Sequence, residues 1–218
     1  MSIQLEVKYQ DKERVKEKGG FWDTQLKTWY IPDNKKIVDF SEWIPENADV
    51  IIKSPILVAK NSRACWKCNK ETPLISIGGL KIIISDYVDE DSDKIDWRVE
   101  NELCLFSDIT YLPKNILNIV QTKFTFFKYT YSNTIKRKYW ANNCIHCNSL
   151  QGDFFNHNEP GGAFCPMSIE EGNSIKLFKI DYKHDIPIIG GYSFDDYGFI
   201  KTDDIKNIDE ITNTQQFV

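Results

Sequence analysis

Ile3, Leu5 and Val7 alternate with polar residues, the two-residue period of a strand with one buried face. Asp11 heads a charged stretch through Lys18 that reads as a helix, and Gly19-Gly20 ends it. Phe21-Trp22-Asp23 and Thr28-Trp29-Tyr30-Ile31 read as two short strands across a polar turn, with Asp23 as an Asx-type turn residue. Beyond Pro32, the spacing of Ile37, Val38, Phe40 and Trp43 predicts a second helix. The order is βαββα. Pro45 and the polar residues after it place a boundary near residue 46, so two domains are expected, 1–46 and 47–218.

The second segment is mainly strand-like. Val50-Ile51-Ile52 and Pro55 to Ala59 are short apolar runs, and Leu74 to Ile77 with Leu80 to Ile84, broken by Gly78-Gly79, read as a hairpin. Residues 86–102 carry a net charge of -6 and read as a solvated loop leading into a helix. A short helix is expected from Pro113 to about Val120, then an aromatic-rich strand from Phe124 to Tyr131. Further strand candidates lie at Arg137 to Trp140 and around Pro187 to Gly191. The expected class is α+β: a small βαββα domain followed by a larger β-rich domain.

Composition narrows the functional classes. The 218 residues are 41% hydrophobic and 27% charged, which is globular. No apolar run approaches the ~18 residues of a membrane helix, and the first residues lack the basic and apolar regions of a secretory signal. A cytoplasmic protein with no membrane partner is therefore expected. The net charge of -5 excludes a wholly basic coat protein and leaves local basic faces open.

Six cysteines carry the clearest chemistry. Cys65-Trp66-Lys67-Cys68-Asn69 and Cys144-Ile145-His146-Cys147-Asn148 are matching C-x-x-C knuckles. Two thiolates at this spacing reach one tetrahedral zinc when the loop between them folds tightly. The residue after the second cysteine favours a left-handed backbone, which suits Gly or Asn, and both knuckles have Asn. One structural zinc held by Cys65, Cys68, Cys144 and Cys147 is expected, closed to water because four thiolates fill it. Such a bond would clip a 75-residue insertion, residues 69 to 143, to its base. Cys104 and Cys165 read as small buried hydrophobes, and His146 as pointing outward.

The knuckles resemble those of zinc ribbons and treble clefs. A second resemblance lies in K-E-K-G-G-F-W-D-T-Q-L-K-T-W-Y-I-P, residues 16–32. Through Lys16, Gly19, Trp22, Asp23, Lys27, Trp29, Tyr30 and Pro32 it resembles a small domain of unknown function found on plasmid primases and relaxases. The same outline is loosely similar to the HARP-type domain of annealing helicases. Lys18 and Phe21 depart from the pattern. The resemblance implies a bacterial or mobile-element setting and proximity to DNA processing.

Three functional readings follow. The first is a non-enzymatic, zinc-stabilised accessory protein that binds DNA or RNA. Residues 113–143 carry six basic residues and no acid, interleaved with Phe, Tyr and Trp. The candidate contacts are Lys123, Lys128, Lys136, Arg137 and Lys138, with Trp22, Trp29 and Tyr30 as stacking candidates. At these spacings such aromatics more often form the core of a tiny domain. The second reading is a protein partner met by acidic surfaces at 86–102 and 181–210. The third is a metal-dependent nuclease using Asp153, His157 and Glu159 around Mg²⁺. No phosphate-binding or acyl-transfer signature is present.

Overall fold

The computed structural model describes residues 2–87, 95–192 and 197–211. The chain opens with β1 (Ser2–Leu5), α1 (Lys12–Glu17), β2 (Phe21–Asp23), β3 (Thr28–Pro32) and a 3-10 turn at Ile37–Trp43. These form a three-stranded antiparallel sheet in the order β1-β3-β2. The expected βαββα order is present, but its last helix is 3-10 and leaves Val38 exposed while Phe40 and Trp43 are buried. The α1 helix ends where expected, at Gly19, whose φ of +90° suits a residue without Cβ. The Asp11 side chain does not cap the helix. It accepts a hydrogen bond from Arg14 at 3.0 Å instead.

The following strands are β4 (Val50–Ile52), β5 (Ile56–Ala64), β6 (Glu71–Gly79), β7 (Ile82–Tyr87), β8 (Ile95–Glu100) and β9 (Cys104–Tyr111). After α2 (Lys114–Lys123) come β10 (Phe127–Ser132), β11 (Arg137–Asn143) and β12 (Leu150–Gln151). The chain closes with α3 (Ile169–Ser174), β13 (Lys176–Ile180), β14 (Ile186–Tyr192) and β15 (Lys206–Asn207). One twelve-stranded sheet results, with the path β15-β13-β5-β6-β9-β14-β4-β7-β8 and β10-β11-β12 joined through β11 to β9. The fold is mostly β, which overturns the expected α+β class. Among the described residues, no helix is long and apolar enough to cross a membrane.

Two local expectations fail for identifiable reasons. Residues 95–100 form a strand on β7 instead of a helix. Ile95, Trp97 and Val99 alternate with Asp96, Arg98 and Glu100, a strand period hidden by the charge of the region; residues 88–94 of that stretch lie outside the described residues. β6 and β7 are consecutive but do not pair as a hairpin: β6 lies between β5 and β9, and β7 between β4 and β8. Gly78 permits this, because a Cβ there would stand 2.3 Å from the Cys104 carbonyl oxygen.

The apolar runs serve two cores by alternation. Val50, Ile52, Ile82 and Ile84 face the main cluster, which also holds Ile116 and Val120 of α2 and both Phe124 and Phe126. Ile51 and Ile83, on the opposite face of the same strands, pack with Ile3, Leu5, Trp29, Ile31, Phe40 and Trp43. The N-terminal sheet thus shares an apolar cluster with the large sheet. Polar contacts add to the join: the Asp185 carbonyl accepts from Gln4 N–H at 2.9 Å, and the buried Asp185 carboxylate meets Lys53 at 3.0 Å.

We expect Gly78→Ala to push β6 and β9 apart and destabilise the protein by about 3 kcal/mol, since neither the carbonyl nor Leu105 can yield freely. Urea unfolding of the variant against wild type measures this, with unchanged stability as the contrary result.

Candidate metal centre and adjoining surface

Each knuckle is the turn of an antiparallel hairpin. The first joins β5 to β6 beyond the Ala64–Glu71 pair, and the second joins β11 to β12 beyond Asn143–Leu150. Their backbones repeat one pattern: Cys65 N–H donates to Lys70 O and Asn69 N–H to Cys65 O, while Cys144 N–H donates to Ser149 O and Asn148 N–H to Cys144 O. Asn69 and Asn148 have φ of 58° and 57°, the left-handed conformation expected of them.

The four sulfurs of Cys65, Cys68, Cys144 and Cys147 all lie within 4.8 Å of one another. Cys65–Cys147 and Cys68–Cys144 are each 3.7 Å apart between sulfurs. A tetrahedral divalent ion with sulfur bonds of ~2.3 Å spaces its ligands at about 3.8 Å, whereas a disulfide needs ~2.05 Å. The set therefore has the spacing of a metal site. Backbone N–H groups of Lys67 and His146 point at the Cys65 and Cys144 sulfurs, 3.4 Å away in each case, and Gln151 Nε2 lies 3.3 Å from Cys65 Sγ. Ser149 Oγ, 3.2 Å from Cys147 Sγ, brings that thiol down to about 6, while burial and the neighbouring thiols push Cys68 up to about 11. The N–H donors favour the thiolate, the form that binds metal.

Side chains also cross-link the hairpins. Trp66 Nε1 donates to Leu150 O at 2.7 Å, and His146 Nε2 lies 2.9 Å from Glu71 O, so His146 is a clasp and not a ligand. Asn142, fully buried, accepts from Ile75 N–H and donates to Ile75 O, both at 2.8 Å. Its amide fills the place of a missing strand pair between β11 and β6. Sequence reading missed this residue. The only signal was the polar pair Asn142-Asn143 at the end of a strand entering the knuckle.

The other candidates scatter. Lys136, Arg137 and Lys138 sit together at the β10–β11 hairpin, with Arg137 3.3 Å from Asp108. Lys128 bonds Asn148 of the second knuckle at 2.8 Å. Lys123 lies apart, on α2, donating to Ile211 O. Trp29 is buried in the shared apolar cluster, and Tyr30 stacks on the buried His184 with ring centroids 4.5 Å apart. Trp22 keeps an exposed face. Asp23 is the expected Asx residue, accepting from Gln25 and Leu26 N–H, and its other oxygen meets Lys183 at 2.6 Å and His184 at 3.1 Å. The Leu26 N–H and the Lys183 ammonium hold its carboxyl well below the usual range.

Among the described residues, the four cysteines are the single group of three or more potential ligands that converge. Asp153, His157 and Glu159, the residues of the nuclease alternative, are not among them. Asp153 and His157 are buried, while Glu159 is exposed. Of the acidic surfaces, Asp185 is buried against Lys53, and Asp181 accepts from Asn207. Residues 88–94 and 193–196 of those stretches lie outside the described residues.

Residues 3–45 match the family model described as "Domain of unknown function (DUF5710)". The match spans the N-terminal unit and ends before the first knuckle. No curated protein and no solved structure matches the chain.

Burial raises the Asp153 carboxyl to about 7 and lowers His157 to about 3. The signs oppose. Between about pH 4 and 7 the unfolded chain ionises its aspartate while the folded one keeps the proton, so Asp153 makes stability fall as pH rises. His157, neutral when folded, makes stability fall as pH drops below about 6.5. Asp153→Asn is expected to be more stable than wild type at about pH 8, by up to ~4 kcal/mol, with the gap closing by about pH 4. Urea titrations at the two pH values check this.

Proposed function

We propose that the protein is a non-enzymatic accessory factor, built on a structural zinc, that binds single-stranded nucleic acid along the β10–β11 hairpin. The observation that carries the reading is one sheet face. Tyr129 and Tyr131 are 49% and 48% exposed. Tyr131 is paired across the strands with Lys138, and Tyr129 with Trp140. Flat rings beside ammonium groups suit bases that stack and phosphates that follow them. Lys136 and Arg137 extend the charge at the hairpin turn, and Lys128 ties the platform to the second knuckle. The resemblance of residues 16–32 to a small domain of unknown function, and the match of residues 3–45 to such a domain, are compatible with a role near DNA processing.

Cys65, Cys68, Cys144 and Cys147 would hold the zinc, and the two hairpins they tip are similar in outline to a zinc ribbon. When bound, zinc supplies a tetrahedral cross-link and no open coordination position. The residues themselves do the rest. Asn142 and the two clasps, Trp66 and His146, align the hairpins, and a bound metal would fix where the platform stands relative to the main sheet.

Two measurements test these statements. Labelled single-stranded, duplex and forked DNA should show preferential binding of the single strand, with log affinity falling against log salt at a slope of about -2 to -3, as expected for three or four phosphate contacts. Lys136→Glu/Arg137→Glu/Lys138→Glu should abolish it, and absence of binding at low salt would refute the reading. For the zinc, metal analysis should find one ion per chain, and Cys65→Ser or Cys147→Ser should lose it and unfold or aggregate. A cysteine variant that excludes zinc yet melts with the wild type removes the structural claim.

A further inference from the structure

Beside the turn of the β10–β11 hairpin lies a cavity of about 630 Å³, bounded by the first knuckle, the hairpin turn and the segment after β12. Its lining residues include Trp66, Tyr131, Phe154 and Phe155. Three of these are largely exposed: Trp66 by 72%, Phe154 by 61% and Phe155 by 54%. They are also held in place. Trp66 is anchored by its bond to Leu150 O, and Phe154 and Phe155 meet edge to face at 5.6 Å. Leaving several large rings in contact with water is unfavourable, and such a cluster marks a binding surface.

Polar residues, Thr130, Ser132, Asn133, Thr134 and Ser149, line the rest of the cavity together with two acids. Asp153, 5% exposed, lines the wall, and one of its oxygens accepts from Asp108 N–H at 2.7 Å. Asp108 also lines the cavity and pairs with Arg137, which sets a guanidinium beside the opening. A cavity of a few hundred Å³ that joins exposed rings with polar groups has the form of a ligand site.

We propose that this cavity receives one unstacked nucleobase, of the kind that carries an exocyclic amino group, from the strand lying on the hairpin. The proposal rests on the nucleic-acid reading above. Rings at the wall match the two faces of a base. Above about pH 7 the ionised carboxylate accepts and does not donate, so it favours the exocyclic amino groups of adenine, cytosine and guanine over thymine and uracil, whose one ring N–H is flanked by two carbonyls that repel it. Burial has pushed Asp153 up to about 7, and an N–H donor from a base would offset that desolvation. Arg137, paired with the lining residue Asp108, and Lys136, next in sequence to the lining residue Ile135, would lie near the sugar-phosphate chain of that base. Charge complementarity thus favours a nucleic acid over a neutral apolar ligand.

The test uses the full zinc-loaded chain and four labelled strands: an oligothymidine, and the same strand with one central adenine, cytosine or guanine. An amino-bearing base should tighten binding about ten-fold over thymidine alone. Phe154→Ala/Phe155→Ala should bind the four strands alike, and Asp153→Asn, which retains an acceptor for Asp108 N–H, should narrow the preference. Thermal melts of both variants verify that they fold. Salt-sensitive binding with equal affinity for all four strands, or a preference that survives the double phenylalanine variant, overturns the cavity proposal and leaves the hairpin reading standing. Failure of every strand to bind at low salt overturns both.

Discussion

Four sulfurs packed around one point set the course of the large sheet. The two knuckles are separated by 75 residues of sequence, and that interval is not an appendage. It contains β6 to β11, which include the strands at the centre of the main sheet. Bringing Cys65 to Cys147 therefore requires β5–β6 and β11–β12 to arrive side by side. Asn142 shows how close the fit is. Two hydrogen bonds from one side chain replace a strand pair that the geometry does not allow, and each backbone group left without them would stand buried and unpaired. With a metal in place, four thiolates lose their mutual repulsion and the loop entropy of the interval is removed from the unfolded chain.

The N-terminal unit is tied to this frame by period-two strands. Ile51 and Ile83 turn one face of β4 and β7 toward the small sheet while their neighbours fill the main core. Around that apolar join stands a polar cluster from distant parts of the chain: Asp23 with Lys183 and His184, Ser2 with His184, and Asp185 with Lys53. Breaking one partner of such a cluster leaves a buried charge or donor without compensation, which favours the native pairing over alternatives without adding much net stability. The residues of the matched domain thus do two jobs. Trp29 and Tyr30 build the join, and Trp22 remains at the surface.

The same architecture leaves rings exposed. The β10–β11 hairpin carries the exposed Tyr129 and Tyr131, and a cavity lies beside its turn. Both are placed by the knuckle at the end of β11.

The cysteine spacing, the left-handed asparagines, the Asx turn at Asp23 and most of the short strands were legible in the sequence, because each depends on neighbours a few residues apart. Gly19 and the apolar runs of β4 and β5 belong to the same group. Strand partners were not legible: β6 and β7 read as a hairpin but part company at Gly78, since the space there depends on β9. The strand at 95–100 was hidden by its acids, and the α+β expectation came from giving short helical patterns equal weight with strands. Local chemistry determined which residues could bind metal. Only the tertiary structure decided that the four thiols meet, that Asp153, His157 and Glu159 do not, and that Trp66, Phe154 and Phe155 wall one cavity, because those distances are set by strand pairing across the whole chain.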